Sequence, residues 1–220
     1  AWRGSQLIKL HRYEEALPDL LHSLRLNPHI DISHYSLGRV YFRLGRAQDG
    51  VREMRKAVEA SHLSIWIYNW GDWNHQNHAR RETLLDLDAV IAHEPSAAWA
   101  LAWRGQTLLS LKEHDAALKD LDAAIALAPR AAYPYAWRGE IHRGQGRDRL
   151  AARDFQRALS RDPRCVWAYA WRGALRLESG LCRQADRDLS RALRLNRRAA
   201  LAYVWRFQAR YRLGRVRQAL

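Results

Sequence analysis

The sequence is poor in the residues from which most catalytic chemistry is built. Cys165 and Cys182 are its only cysteines, and two thiols make neither a disulfide framework nor a four-ligand metal site. A reducing compartment, and with it a cytoplasmic location, is the expectation. Only 4 lysines stand against 33 arginines, a bias that nucleotide composition accounts for and that names no function. No run approaches the ~18 apolar residues of a membrane span, and no charged-then-apolar leader opens the chain, so a soluble protein is expected. Gly-x-Ser-x-Gly, phosphate-binding and paired-cysteine motifs are all missing. His75-x-x-His78 offers two ligands on one helix face without a third. His22, His114 and His142 read as surface or capping residues. No enzyme, metal or cofactor is therefore expected.

What is present is repetition. Ala102-Trp103-Arg104-Gly105 returns as Ala136-Trp137-Arg138-Gly139 and Ala170-Trp171-Arg172-Gly173, and opens the chain as Ala1-Trp2-Arg3-Gly4. Trp103, Trp137, Trp171 and Trp205 are spaced by 34 residues, and a fixed period of that size means a stacked array. With 48% apolar residues over 220, the chain can bury a substantial core. Its net charge of +14 falls wholly within 131–220, which suggests an acidic partner or nucleic acid at that end, or a solvated outer face.

Registered on Gly4, Gly38, Gly71, Gly105, Gly139 and Gly173, with Phe207 at the seventh place, small residues recur at fixed offsets. They include Ala16, Ala117, Ala151 and Ala185, then Ala57, Ala124, Ala158 and Ala192, where two helices must approach closely. Pro28, Pro95, Pro129 and Pro163 end four of the units, with His62 and Arg197 at the same place in the other two, since proline stops one helix and starts the next. Between these marks Ala117, Leu118, Leu121, Ala124, Ile125 and Ala128 have helical spacing. Each unit reads as two antiparallel helices.

This pattern of aromatic or leucine-glycine opening, small residue, alanine and closing proline resembles the tetratricopeptide repeat family over nearly the whole chain. The resemblance implies an all-α, right-handed superhelical solenoid with a ~34-residue period. One array over 1–220 is expected: six units plus a further helix, a piece of a longer protein. Repeat three, around 64–97, is atypical. Trp66, Tyr68, Trp70 and Trp73 crowd its front, and Asn74, His75, Gln76, Asn77 and His78 end its first helix. In some members of the family an asparagine on the first helix grips a peptide backbone; only Asn69 stands at that place here.

Arginine follows the tryptophan as Arg3, Arg104, Arg138, Arg172 and Arg206, and sixteen residues later stand Asp19, Asp120, Asp154 and Asp188 for the first four. Matched recurrence predicts an ion pair between the two helices of a unit. Leu37 and Trp70 replace the arginine in units two and three, leaving Glu53 and Asp86 without the expected partner.

If the family's superhelix applies, first helices line its concave side. Residues four apart share a helix face, which places Trp99 with Trp103, Tyr133 with Trp137, Trp167 with Trp171, and Leu201 with Trp205. The expected function is a protein-interaction scaffold that binds an extended, apolar or proline-containing peptide along this row, with Gln106 and Glu140 as polar contacts one turn on. Packing between helices is the competing reading of each tryptophan. Two other functions fit the residues: binding of single-stranded nucleic acid or an acidic partner by the basic C-terminal repeats, and substrate selection within a larger enzyme such as a glycosyltransferase.

Overall fold

The structure, a computed structural model, describes residues 2–60 and 73–214, and for 60 and 73–79 the backbone alone. Twelve helices and no strand are found among the described residues. In chain order they are α1 (Trp2–Lys9), α2 (Tyr13–Leu26), α3 (Asp31–Arg43), α4 (Ala47–Ala60), α5 (Trp73–His93), α6 (Ala98–Ser110), α7 (His114–Leu127), α8 (Tyr133–Gly144), α9 (Asp148–Arg161), α10 (Val166–Glu178), α11 (Cys182–Leu195) and α12 (Ala200–Arg212). The chain divides into two compact units, Ala1–Thr107 and Leu108–Leu220.

Within each unit, consecutive helices pack in antiparallel hairpins that stack on their neighbours, as α3 on α4 and α10 on α11 do. The register glycines explain the closeness. A Cβ on Gly139 would lie 2.7 Å from Phe155 Cε1, and one on Gly173 2.6 Å from Leu189 Cγ. Ala151, Ala158, Ala185 and Ala192 across the same seams are fully buried. Small residues at these offsets are therefore what allows the second helix to seat its large residue, Leu20, Phe155 or Leu189, on the first.

The hairpin turn has a signature that the expected pattern omitted. Seven residues after each register position the chain enters the left-handed region, at Gly45, Gly146, Gly180 and Gly214, and at His11 and Lys112 with φ of 58° and 65°. The next amide then reaches back to close the helix end, as Arg147 N–H does to His142 O at 2.8 Å and Leu181 N–H to Arg176 O at 2.7 Å.

Unit three departs from the two-helix expectation. The corresponding residue is His78, and the backbone there runs straight through α5, which is 21 residues long. Asn74–Ala79 continue as helix, although His11 and Lys112 make the reversal at the same position of other repeats without glycine. Trp66, Asn69, Tyr68 and Trp70 lie outside the described residues.

Two substitutions test the close approach. Gly139→Ala should cost about 1–3 kcal/mol in urea unfolding, because the new methyl meets Phe155. Gly144→Ala, with nothing within 4 Å of its Cβ and an ordinary helical backbone, should stabilise by about 0.5–1 kcal/mol.

Candidate functional site

The first-helix arginines do more than pair within their own hairpin. Arg138 on α8 donates from Nε and Nη2 to Asp154 on α9, both at 2.7 Å, and from Nη1 to Asp122 on α7 at 2.6 Å. Arg172 repeats this: Nε and Nη2 grip Asp188 at 2.8 and 2.9 Å while Nη1 reaches Gln156 at 3.1 Å. Arg104 uses Nη1 on Asp88 at 2.8 Å. Arg138 and Arg172 thus each face one carboxylate sixteen residues ahead in their own hairpin and one acceptor sixteen residues behind in the preceding one. The backward partners Asp88, Asp122 and Gln156 went unread in the sequence, although they recur at the same period. Asp154 is 3% exposed, and the bidentate bond that Arg138 donates to Asp154 outweighs the cost of burial to push the guanidinium above its ordinary value. Arg3 makes the same pair with Asp19 at 2.9 Å but stands largely in solvent.

The two second-helix acids that lack a matching arginine are nevertheless satisfied, by residues off the repeat register. Glu53 accepts from His34 Nδ1 at 2.7 Å and Lys56 Nζ at 2.8 Å. The other ring nitrogen of His34 lies 2.8 Å from Pro28 O. Burial pushes the Glu53 carboxyl up, yet the bonds from Lys56 and His34 outweigh it and hold the group below the usual carboxylate range. Asp86 accepts from Tyr35 Oη at 3.0 Å and pairs with Arg39 at 3.0 Å. Burial prevails there, and the Asp86 carboxyl sits above its ordinary value. The substitution of one cation for another keeps a buried acid compensated.

The aromatic row is partly core and partly open. Trp137 is 4% exposed, so its indole is packing and not an accessible contact; Tyr133 leans on it with centroids 5.1 Å apart. Trp167 and Trp171 stack at 5.2 Å and 23°, each half-buried, one resting on Tyr135 and Cys165, the other on Phe155 and Leu175. Trp205 is half-buried against the cluster of Leu189 and Ala202. In the other unit, Trp99 and Trp103 rest half-buried on Val51, Leu87 and Ala100. The side-chain oxygen of Gln106 is buried and without a hydrogen-bond partner, so it is not a ready polar contact. Glu140 is held by Arg143 through two 2.7 Å bonds, and Arg143 also reaches Glu178 on α10. That network, also unread in the sequence, ties the neighbouring first helices α8 and α10 together.

Other chemistry is sparse. Among the described residues no group of three metal-ligating side chains is found. No described helix is long and apolar enough to cross a membrane. Burial raises the Cys165 thiol to about 11, which makes it an unreactive packing residue. His142, expected at the surface, is buried, and desolvation lowers its pKa.

Comparison with known proteins agrees with the geometry. The tetratricopeptide repeat model matches residues 3–62 and 84–136. No curated protein matches the chain. Among solved structures, a tetratricopeptide repeat protein from Parabacteroides merdae aligns at 19% identity and a TM-score of 0.54, over 99% of this chain and 86% of that one. PilW, a type IV pilus biogenesis factor, aligns at 15% and 0.53, over 99% and 86%. At these identities the likeness is one of fold.

The clamp predicts unequal losses. Arg138→Ala, which strands buried Asp154, should cost about 3–5 kcal/mol, and Asp122→Ala, at the exposed arm, under about 1 kcal/mol, both by chemical denaturation. The depressed Glu53 carboxyl gives a pH prediction. Its contribution to stability is complete above the ordinary carboxylate range and is lost as pH falls through the lower folded value. Melting temperatures of wild type and Glu53→Gln should therefore converge between about pH 6 and about pH 3, and parallel curves would contradict the pairing.

Proposed function

The chain belongs to the tetratricopeptide repeat family, and from that premise we propose that it is a protein-interaction scaffold binding an extended peptide along its first helices. The observation that carries this reading is the Trp167–Trp171 stack: two indoles on one helix, packed against core residues and half open. Trp205 continues that row on α12, and Tyr133 stands on α8. Indoles held by the core lose little freedom on binding, offer apolar area and present an N–H donor to a peptide carbonyl.

The alternative of nucleic-acid binding rests on exposed Arg187, Arg191 and Arg194 of α11. These are second-helix residues, whereas the tryptophans are on first helices, so one strand would not use both. The arginines most conspicuous in the sequence, Arg138 and Arg172, are consumed by their aspartates.

The test is selection of peptides from a random displayed library on the natural chain, followed by titration. Trp167→Ala and Trp171→Ala should each weaken a selected peptide by about 2 kcal/mol, with a smaller effect on folding stability. Failure to select any peptide, or binding indifferent to both substitutions, would overturn the proposal. Competition by a single-stranded oligonucleotide that is abolished in Arg187→Ala/Arg191→Ala would favour the alternative.

A further inference from the structure

Residues of α7, α8 and α9 line a cavity of about 360 Å³, within the ~300–1,000 Å³ range of pockets that hold small ligands. Leu118 and Leu150 form apolar edges, and the remaining walls are polar or charged. α8 contributes Arg138 and His142, the turn after it Arg147, α9 Arg153, Asp154 and Arg157, and α7 Asp122. All belong to the unit Leu108–Leu220. The tryptophans of the proposed peptide row do not line this cavity, so the two sites are separate.

Charge within the cavity is unbalanced. Arg138 is engaged on both sides, by Asp154 and by Asp122. Arg147 and Arg153 are exposed and pair with no described carboxylate, and Arg157 stands 3.9 Å from Asp154. Four arginines against two aspartates leave two positive charges in excess. His142, only 9% exposed, is unsatisfied as well. Its Nδ1 is buried without a hydrogen-bond partner, and its Nε2 lies 3.9 Å from Asp154 Oδ2, beyond hydrogen-bond reach. Buried polar groups are as a rule bonded, so an imidazole in this state calls for an acceptor from outside the chain.

The neighbouring repeats solve the same position differently. Thirty-four residues on, Arg176 takes the place of His142, and its Nη1 donates to Asp188 at 2.6 Å. The longer side chain spans the distance that the imidazole leaves open at Asp154, while Leu181 replaces Arg147. Thirty-four residues back, Leu108, Glu113 and Ala123 replace His142, Arg147 and Arg157. Neither neighbour combines a short ring donor with arginine at all three surrounding places.

We infer that this cavity is a binding site for a phosphate dianion, inorganic or as a monoester, held by Arg147, Arg153 and Arg157 while His142 Nε2–H donates to one of its oxygens. Guanidinium forks match phosphate oxygens in geometry and charge. The excess of two positive charges is met by a dianion and only half met by a carboxylate. Binding is also felt by the imidazole. Desolvation, with help from Arg138 and Arg147, holds His142 below its ordinary pKa against the pull of Asp154 and Asp122. A bound dianion adds negative charge beside the ring and raises that pKa.

The experiment is calorimetric titration of the natural chain at constant ionic strength with inorganic phosphate, with a neutral peptide carrying one phosphoserine, and with acetate. Phosphate should bind, and acetate at least about tenfold more weakly. Arg147→Gln and Arg153→Gln should each weaken phosphate about fivefold or more, whereas Arg149→Gln, which removes an exposed charge from α9 outside the cavity, should change nothing. His142→Arg should abolish binding although it adds positive charge, because its guanidinium closes on Asp154 as Arg176 does on Asp188. Proton NMR of the histidine rings should show the His142 pKa rising with phosphate. Tighter binding of the phosphopeptide than of inorganic phosphate assigns the anion to a partner's side chain, and the reverse assigns a free ion. Absence of phosphate binding, equal binding of acetate, equal losses in Arg149→Gln and Arg153→Gln, tighter binding by His142→Arg, or a His142 titration indifferent to phosphate overturns the inference.

Discussion

The arrangement depends on how closely the two helices of a hairpin can approach. At Gly139 and Gly173 the first helix has no side chain, and Phe155 and Leu189 of the second fill the space. That contact fixes where the second helix runs, and so places Asp154 and Asp188 within reach of Arg138 and Arg172. It also fixes the site of the turn, since a hairpin this tight must reverse at a left-handed residue directly after the helix.

Given that spacing, the guanidinium becomes a three-way joint. Its fork closes one hairpin and its remaining nitrogen reaches the hairpin before. Because stacked repeats contact only their neighbours, the backward bonds of Arg138 and Arg172 tie successive hairpins of Leu108–Leu220 together. The contact is strong on the buried arm, where Asp154 is removed from water, and weak on the exposed arm. Its geometry at the seam matters more than its energy there: a planar donor set fixes orientation in a way that apolar packing alone does not.

Much of this was legible in the sequence, because it is periodic. Glycines, alanines and prolines at fixed offsets announced hairpins and their seams, and arginine with aspartate sixteen residues on announced the buried pair. The backward acceptors were equally periodic but change from Asp122 to Gln156, which hides the pattern. His34 and Arg39 could not be found this way, since each compensates a missing arginine from an irregular position. Nor could the exposure of the tryptophans be told apart. Trp137 and Trp171 occupy equivalent positions, and the difference lies in neighbours: Tyr133 tilts across the first, whereas Trp167 stacks on the second. The straight run of α5 carried no such signal: His78 holds the turn position there, yet His11 at the same position of the first repeat enters the left-handed region.

The division of labour follows. Arginines that dominate the composition serve largely to hold hairpins together, while the half-open indoles provide area that the fold itself does not need to cover. The most direct measurement is a two-dimensional NMR titration of the natural chain with a selected peptide, following the tryptophan indole N–H and arginine Nε–H resonances together. The account predicts shifts at Trp167, Trp171 and Trp205 with Arg138 and Trp137 unmoved. Stationary indoles with shifts confined to the exposed arginines of α11 would contradict it.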